Sequence, residues 1–351
     1  MAKKYLFFVN AEYCYAILRP LQEIIHRRGG ETAWFVFGCS SAPLNIHERL
    51  VSSVAEALAF KPDAVIAPGD WIPYFLPGKK VQVFHGIARN KRGAASEDSS
   101  DHYRIRGWFD LYCTHSEHDT LKFQQLAERH GNFHVVKTGW PKLDPLFQEQ
   151  EHYRQRPQNS IPTVFFASTF SPSITAAPEL AVTIERLSAT GKWRFIVTLH
   201  PKMAGDTVAR YQAIKNPYYS YIPAGEDIFE PMAQADIMLC DTSSIMYEFL
   251  FLDKPLVTLR TRNPGPYLHD IQDVEQLEAA LEHALKRPEE QMQAARALCE
   301  ELHGFHDGES SERVLNAIDA LCDGTIGPLK RKPLNIIRKL RLRARMGYWK
   351  P

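Results

Sequence analysis

The chain has no uninterrupted apolar run approaching the ~20 residues that a bilayer-spanning helix needs, so any membrane attachment would be peripheral. It has only six cysteines, Cys14, Cys39, Cys113, Cys240, Cys299 and Cys322, with no CxxC pair and no histidine at zinc-finger spacing. Neither a disulfide framework nor a structural metal is indicated, and a reducing cytoplasm is the simplest fit. Lys3 and Lys4 precede the apolar run Tyr5–Val9 as in a signal peptide, but Asn10 and Glu12 end it short of an h-region, and it reads as a first strand. P-loop, GxSxG, HExxH and GxGxxG motifs are absent, which argues against a P-loop NTPase, a serine hydrolase, a zincin and a nicotinamide enzyme. No acidic cluster suggests a metal, so neither metal nor cofactor is expected.

Acids are also missing from one end of the chain. Residues 330–351 carry Lys330, Arg331, Lys332, Arg338, Lys339, Arg341, Arg343, Arg345 and Lys350 with no Asp or Glu. The whole chain is formally +1, and taking these nine cations from its 42 leaves 33 basic against 41 acidic residues, a body at −8. Near-neutrality is therefore an acidic body plus a basic tail, and the tail points at an anionic partner.

At about 150 residues per domain, 351 residues suggest two domains. Short β-rich runs alternate with helical stretches throughout, the pattern of parallel sheets built from βα units. The first half reads as strands Tyr5–Val9, Trp34–Phe37, Ala64–Ala67, Val81–Phe84, Leu111–Thr114 and Val135–Thr138, with helices Ile17–Arg28, Val51–Phe60 and Glu117–His130. A polar linker is expected over Gln148–Pro162, after which strands recur at Thr163–Ala167, Arg194–Leu199, Tyr219–Ile222, Ile237–Cys240 and Leu256–Leu259. The expected fold is α/β, two Rossmann-like domains (1–150 and 151–325) facing across a cleft, with a basic tail from 326 to 351.

Ligands of open parallel sheets bind beyond the carboxyl ends of strands, so the polar residues there are the candidates. His85-Gly86, followed by Arg89 and Lys91, joins an imidazole, a glycine that lets a ligand approach the backbone, and nearby cations. Taken alone, the dipeptide reads rather as a loop histidine before a turn glycine. His200-Pro201-Lys202 repeats the arrangement in the second half. The run Ala235–Val257 reads strand, hydroxyl-rich turn, helix, Pro-marked exit and strand. Thr242 or Ser243 is its expected N-cap, and Ser243, Ser244 and the helix start form an anion site. Asp241 is expected to organise the turn, since a carboxylate aimed at phosphate would repel it. In Thr138–Asp144, Lys142 lines the cleft or the segment serves interdomain packing around Trp140; both readings stay open.

In order, His85-Gly86, Thr138–Asp144, Phe166–Phe170, His200-Pro201 and Asp241-Thr242-Ser243-Ser244 with its Asp253-Lys254-Pro255 exit resemble the CDP-glycerol glycerophosphotransferase family, the teichoic-acid primases and polymerases. The likeness spans roughly residues 81–260. It implies a GT-B fold, CDP-alcohol donors, a lipid-linked or polysaccharide acceptor, and two essential histidines at His85 and His200. Gly86, Arg89, Lys91, Lys142, Ser168, Thr169, Lys202, Thr242, Ser243 and Ser244 would then bind substrate. Phe84 stands where the family usually has Trp, and Lys142-Leu143-Asp144 where it usually has Arg-Asn-Asp. These departures bear on the acceptor and the donor alcohol. Competing readings are a GT-B glycosyltransferase using a sugar nucleotide and a non-catalytic nucleotide- or nucleic-acid-binding protein. An acidic body without aromatic and basic residues interleaved argues against nucleic acid.

The tail reads as a short helix between Pro333 and Gly347 with Leu334, Ile337, Leu340, Ala344 and Tyr348 on one stripe. Two roles are open. It holds the protein at the inner face of the cytoplasmic membrane, with Trp349 as an interfacial anchor, or it packs back on the first half.

Overall fold

Strands such as Leu6-Phe7-Phe8-Val9 are apolar at every position, which suits a parallel sheet covered on both faces. The computed structural model describes residues 2–87, 101–154 and 160–349, and the chain divides into one unit of Met1–Asp144 with Glu301–Pro351 and another of Pro145–Glu300. The first holds β1 (Lys4–Val9), β2 (Glu31–Val36), β3 (Leu50–Val51), β4 (Ala64–Ala67), β5 (Lys79–Gln82), β6 (Leu111–Thr114) and β7 (His134–Lys137). They form a parallel sheet in the order β3-β2-β1-β4-β5-β6-β7. The second unit holds β8 (Thr163–Ser168), β9 (Arg194–Leu199), β10 (Tyr219–Ile222), β11 (Ile237–Cys240), β12 (Leu256–Leu259) and β13 (His269–Ile271). These are parallel in the order β10-β9-β8-β11-β12-β13. Each sheet therefore reverses direction once, at β1/β4 and at β8/β11, the points where doubly wound folds bind ligands.

Local chemistry sets several boundaries. The helix Glu117–His130 begins where the Ser116 hydroxyl accepts the Asp119 N–H at 3.1 Å, and it ends at Gly131 with φ +67°. Its bounds are those read from the sequence. The strand expected at Val81–Phe84 instead ends at Gln82. Val83 still donates its N–H to Ala67 at 3.1 Å, but Phe84 adopts φ +55° and turns the chain out of the sheet. Half of the expected linker is helix, since Asp144–Arg154 runs through it. The two- and three-residue strands β3 and β13 are too short to leave a periodicity in sequence. Among the described residues no helix is long and apolar enough to cross a membrane.

The expected boundary at 325 is corrected by long-range capping. The Asp144 carboxylate accepts the N–H groups of Ser310 at 2.9 Å and Ser311 at 2.7 Å, the orphan donors at the start of the helix Ser310–Cys322. Arg28 then reaches Asn316 at 2.8 Å and Lys3 pairs with Asp319 at 2.8 Å, so this helix belongs to the first unit. Just before Asp144, the buried His303 is fixed as a neutral tautomer. Its Nδ1–H donates to the Phe305 carbonyl at 2.6 Å and its Nε2 accepts the Trp140 N–H at 2.7 Å. Gly139, at φ +81°, is required here, because a Cβ would lie 2.5 Å from the Ser310 hydroxyl oxygen.

The tail also folds onto the first unit. Its helix, Ile336–Met346, ends at Gly347 with φ +62°. Lys332 pairs with Asp110 at 2.5 Å, and Leu342 joins a core cluster with Trp108 and Phe109. Of the two roles left open, packing back on the first half is observed.

Two consequences are measurable. Asp144→Ala should cost about 2 kcal/mol of unfolding free energy, read as a lower urea midpoint at unchanged slope. The second concerns pH. Burial pushes the His303 imidazole down to about 3, and that of His115, behind β5, down to about 4. The unfolded chain then binds protons that the folded chain refuses, so stability is full above about pH 6.5 and falls as pH drops towards 4, by up to about 1.4 kcal/mol per pH unit for each ring. Urea unfolding between about pH 6.5 and 5 should show this slope, and His303→Gln should flatten it by one ring's share. An unchanged slope in that variant would contradict the buried neutral state.

Candidate active site

In the first unit the residues after β5 are placed by a strained turn. A left-handed backbone at a bulky residue costs roughly 1–2 kcal/mol, so Phe84 holds it only under constraint from its surroundings. His115, directly after β6, supplies one constraint: its Nε2 lies 3.2 Å from the Val83 carbonyl, to which it donates. Trp140 supplies another, its indole N–H donating to the Phe84 carbonyl at 3.4 Å. The Phe84 ring packs between Tyr112, Phe123, His102 and His115. The turn delivers His85, exposed, to the carboxyl edge, where its ring centre lies 5.6 Å from that of Tyr13. Tyr13 follows β1, so the contact puts His85 beside the β1/β4 reversal. Among the described residues a Cβ on Gly86 would meet no atom within 4 Å. Lys142 is half-buried with Nζ 5.3 Å from the centre of the Trp140 ring. The Trp140 side chain and backbone meet Phe84, His115 and His303 of the same unit. Arg89 and Lys91 lie outside the described residues.

The second unit centres on Asp241, which follows β11 and has no exposed surface. Its carboxylate accepts the Ser168 hydroxyl, the Thr169 N–H at 2.9 Å and the Ala176 N–H at 3.0 Å, tying the end of β8 to the end of β11 at the sheet's reversal. Burial pushes its carboxyl up from the ordinary value, against those hydrogen bonds. Ser168 is consequently buried, its oxygen also 2.9 Å from the Thr175 hydroxyl, and it acts on this edge through Asp241.

His200 is exposed after β9. Its Nδ1 accepts the Lys202 N–H at 3.0 Å, which leaves the proton of the neutral ring on Nε2. Partial burial and the Lys202 charge both lower its pKa from the ordinary histidine value. Phe170 follows β8 and packs on His200 with ring centres 4.4 Å apart and the planes tilted by 34°, while Lys202 Nζ lies 5.7 Å from the same aromatic ring. One aromatic side chain thus places an imidazole N–H donor and an ammonium group side by side, both suited to a phosphate oxygen.

The hydroxyl-rich turn differs from expectation. The helix after it, Ile245–Leu250, is six residues long, and neither Thr242 nor Ser243 caps it. Ser244 holds the cap position without a side-chain bond, because the Ser243 and Ser244 carbonyls accept the Met246 and Tyr247 N–H groups, each at 3.3 Å, in a tight first turn. So short a helix offers no N-terminal anion site of its own. The Thr242 hydroxyl accepts the Arg262 N–H at 3.1 Å instead, which brings a cation from the loop after β12 to this edge.

The structure thus groups Ser168, Thr169, His200, Lys202, Asp241, Thr242, Ser243 and Ser244 at one carboxyl edge, and His85 and Gly86 at another. Sequence reasoning missed His115 and Arg262, and it named Phe170 within the Phe166–Phe170 segment without giving it a role. His115 directly follows a strand, so the rule applied to His85 and His200 finds it as well. Arg262 follows its strand more loosely and carries no motif by itself.

The model of the CDP-Glycerol:Poly(glycerophosphate) glycerophosphotransferase family matches residues 74–320. None of the curated proteins matches the chain. Among solved structures, the wall teichoic acid polymerase TagF is similar at TM-score 0.62 and 10% identity, over 92% of this chain and 90% of that one. A variant of TagF soaked with CDPG gives 0.59 and 12%, with 92% and 90% covered. UDP-GlcNAc 2-epimerase from Neisseria meningitidis bound to UDP-GlcNAc gives 0.60 and 13%, with 91% and 99% covered. At these identities the likeness shows the fold, a pair of Rossmann-like units of the GT-B-like class. Matched over well more than half its length, the chain belongs to the CDP-glycerol:poly(glycerophosphate) glycerophosphotransferase family, a family of transferases.

Proposed function

We propose that the protein transfers a polyol phosphate of the glycerol phosphate kind from a CDP-alcohol to a hydroxyl of a lipid-linked or saccharide acceptor, in the synthesis of a cell-surface polymer. The observation that carries this reading is His200, held by Lys202 and Phe170 with Nε2–H as its outward donor, in a chain of this family. The CDPG-soaked polymerase of like fold supports a nucleotide-alcohol donor.

In-line phosphoryl transfer needs mainly positioning and stabilisation of charge on the phosphates. The acceptor oxygen attacks the β-phosphorus, the bond from that phosphorus to the bridging oxygen breaks, and CMP departs with the electron pair. His85 takes the acceptor's proton, a role that suits an imidazole at neutral pH. His200 Nε2–H and Lys202 meet the negative charge that grows on the bridging oxygen, and Thr169, Ser243 and Ser244 offer further donors at the same edge. Arg89, Lys91 and Lys142 remain proposed phosphate or acceptor contacts. Turnover uses no metal or cofactor. The enzyme works on the cytoplasmic side, peripheral on the inner face of the membrane, with the basic tail against an anionic surface.

A sugar-nucleotide glycosyltransferase is the second reading, favoured by the epimerase bound to UDP-GlcNAc at nearly the same TM-score. A donor panel separates the two: CMP release from CDP-glycerol or a related CDP-alcohol is expected, and release of UDP, CDP or GDP from sugar nucleotides would replace the first reading with the second. His85→Ala and His200→Ala should each slow CMP release by at least about a hundredfold, with urea midpoints near that of the parent. Full activity in either variant would overturn the assignment. CMP release should persist in excess EDTA.

A further inference from the structure

The tail helix Ile336–Met346 has two apolar faces, and only one of them is covered. Leu342 is buried and Met346 packs beside it against the first unit. Much of the tail's positive charge turns the same way. Arg343 Nε–H donates to the Tyr74 hydroxyl at 2.5 Å, Arg345 lies 4.7 Å from the Trp71 ring centre, Arg338 donates to the Arg106 carbonyl at 3.1 Å, and Lys332 pairs with Asp110. A sum over nine cations therefore overstates what the tail can offer a distant surface.

The other face is aliphatic. Ile336, Ile337 and Leu340 are 60%, 68% and 49% exposed, with Leu334 before them at 74% and Trp349 after them at 61%. Five of the twelve exposed large hydrophobic side chains among the described residues thus fall within sixteen positions of the tail. At about 100° per residue, Ile336, Ile337, Leu340 and Ala344 form one stripe with Arg341 on its flank. Lys330, Arg331 and Arg341 are exposed around it, and residues 330–351 contain no acid.

We infer that this outward face docks on a lipid bilayer with anionic headgroups, the aliphatic stripe entering the headgroup and acyl boundary and Trp349 lying at its level. The cationic rim selects this occupant. A second copy pairing through the same face would set like charges against like, whereas an anionic leaflet complements them. The placement also serves the site. The tail crosses the first unit from Asp110, just before β6, to Phe37, just after β2, whose ring centre lies 5.7 Å from the Arg345 guanidinium. It thus ends at the carboxyl edge that carries His85. That link to a lipid-borne acceptor rests on the proposed function, but the docking itself does not.

The test uses the full chain, flotation with vesicles of phosphatidylcholine or of phosphatidylglycerol, and the exposed-face variant I337E/L340E. Binding to phosphatidylglycerol vesicles well above that to phosphatidylcholine is expected, with a loss of about tenfold or more in the variant at an unchanged urea midpoint. Equal binding by variant and parent would overturn the proposal. So would a parent that ignores vesicles and sediments as a dimer that the variant dissolves. CMP release to a water-soluble acceptor should be the same in both proteins. If neither releases CMP while the vesicle result holds, the reaction assignment has failed and the docking face has not.

Discussion

The second unit depends on one buried carboxylate. Parallel strands end with their carbonyls and the next loops' N–H groups at the same edge, and those groups need partners when water is excluded. Asp241 supplies them at the point where the sheet reverses, binding the loop after β8 through Thr169 and Ala176 while it sits on the loop after β11. An apolar residue there would leave two backbone donors orphaned, and the loops would separate. Because the carboxylate is used inward, its charge is kept from the open edge. His200, Lys202 and the hydroxyl turn therefore face solvent without an acid among them. The anion-binding character of this edge follows from burying its acid, and it needs no positive net charge in a body that is −8 overall.

The first unit solves a similar problem with neutral rings. His85 leaves the sheet through a left-handed phenylalanine, and the cost of that conformation is met by hydrogen bonds from His115 and Trp140 to the carbonyls of Val83 and Phe84. Trp140 is in turn held by His303, from a segment 163 residues away in sequence. Placing a histidine so far from the turn lets the capped helix Ser310–Cys322 and the strand-end turn report on each other. Protonating His115 or His303 would put a charge into a buried site and weaken this support. The same burial that keeps both rings neutral makes the turn rigid near neutral pH.

How much of this was legible beforehand depends on the range of the interactions. Glu117–His130 was readable to the residue because Ser116 and Gly131 are local signals, and strands such as Leu111–Thr114 and Ile237–Cys240 carry their own apolar runs. The end of β5 was misread because nothing in Val83-Phe84 announces a positive φ at an aromatic residue. The assignment of residues 301–322 to the first unit was invisible because it rests on Asp144 and Ser310, which are 166 positions apart. At the site, the strand-end rule found both histidines and the hydroxyl turn. It could not tell that Ser168 is used by Asp241 or that the short helix lacks a side-chain cap, since both depend on which groups are buried together.

The tail shows why a charge count and a periodicity must be read jointly with packing. Its stripe of Ile337, Leu340 and Ala344 is visible in the sequence, and a stripe of that kind ordinarily marks the face turned to a core. Here the core is met by Leu342 and Met346, and by the guanidinium groups of Arg343 and Arg345, which lie 4.7–5.9 Å from the ring centres of Trp71, Tyr74 and Phe75. Arginine on aromatic rings does the work of an apolar face, and this frees the aliphatic residues to point away. A helix attached through its cations keeps its hydrophobic side chains for whatever lies outside. Its remaining exposed cations then select the sign of the surface they meet.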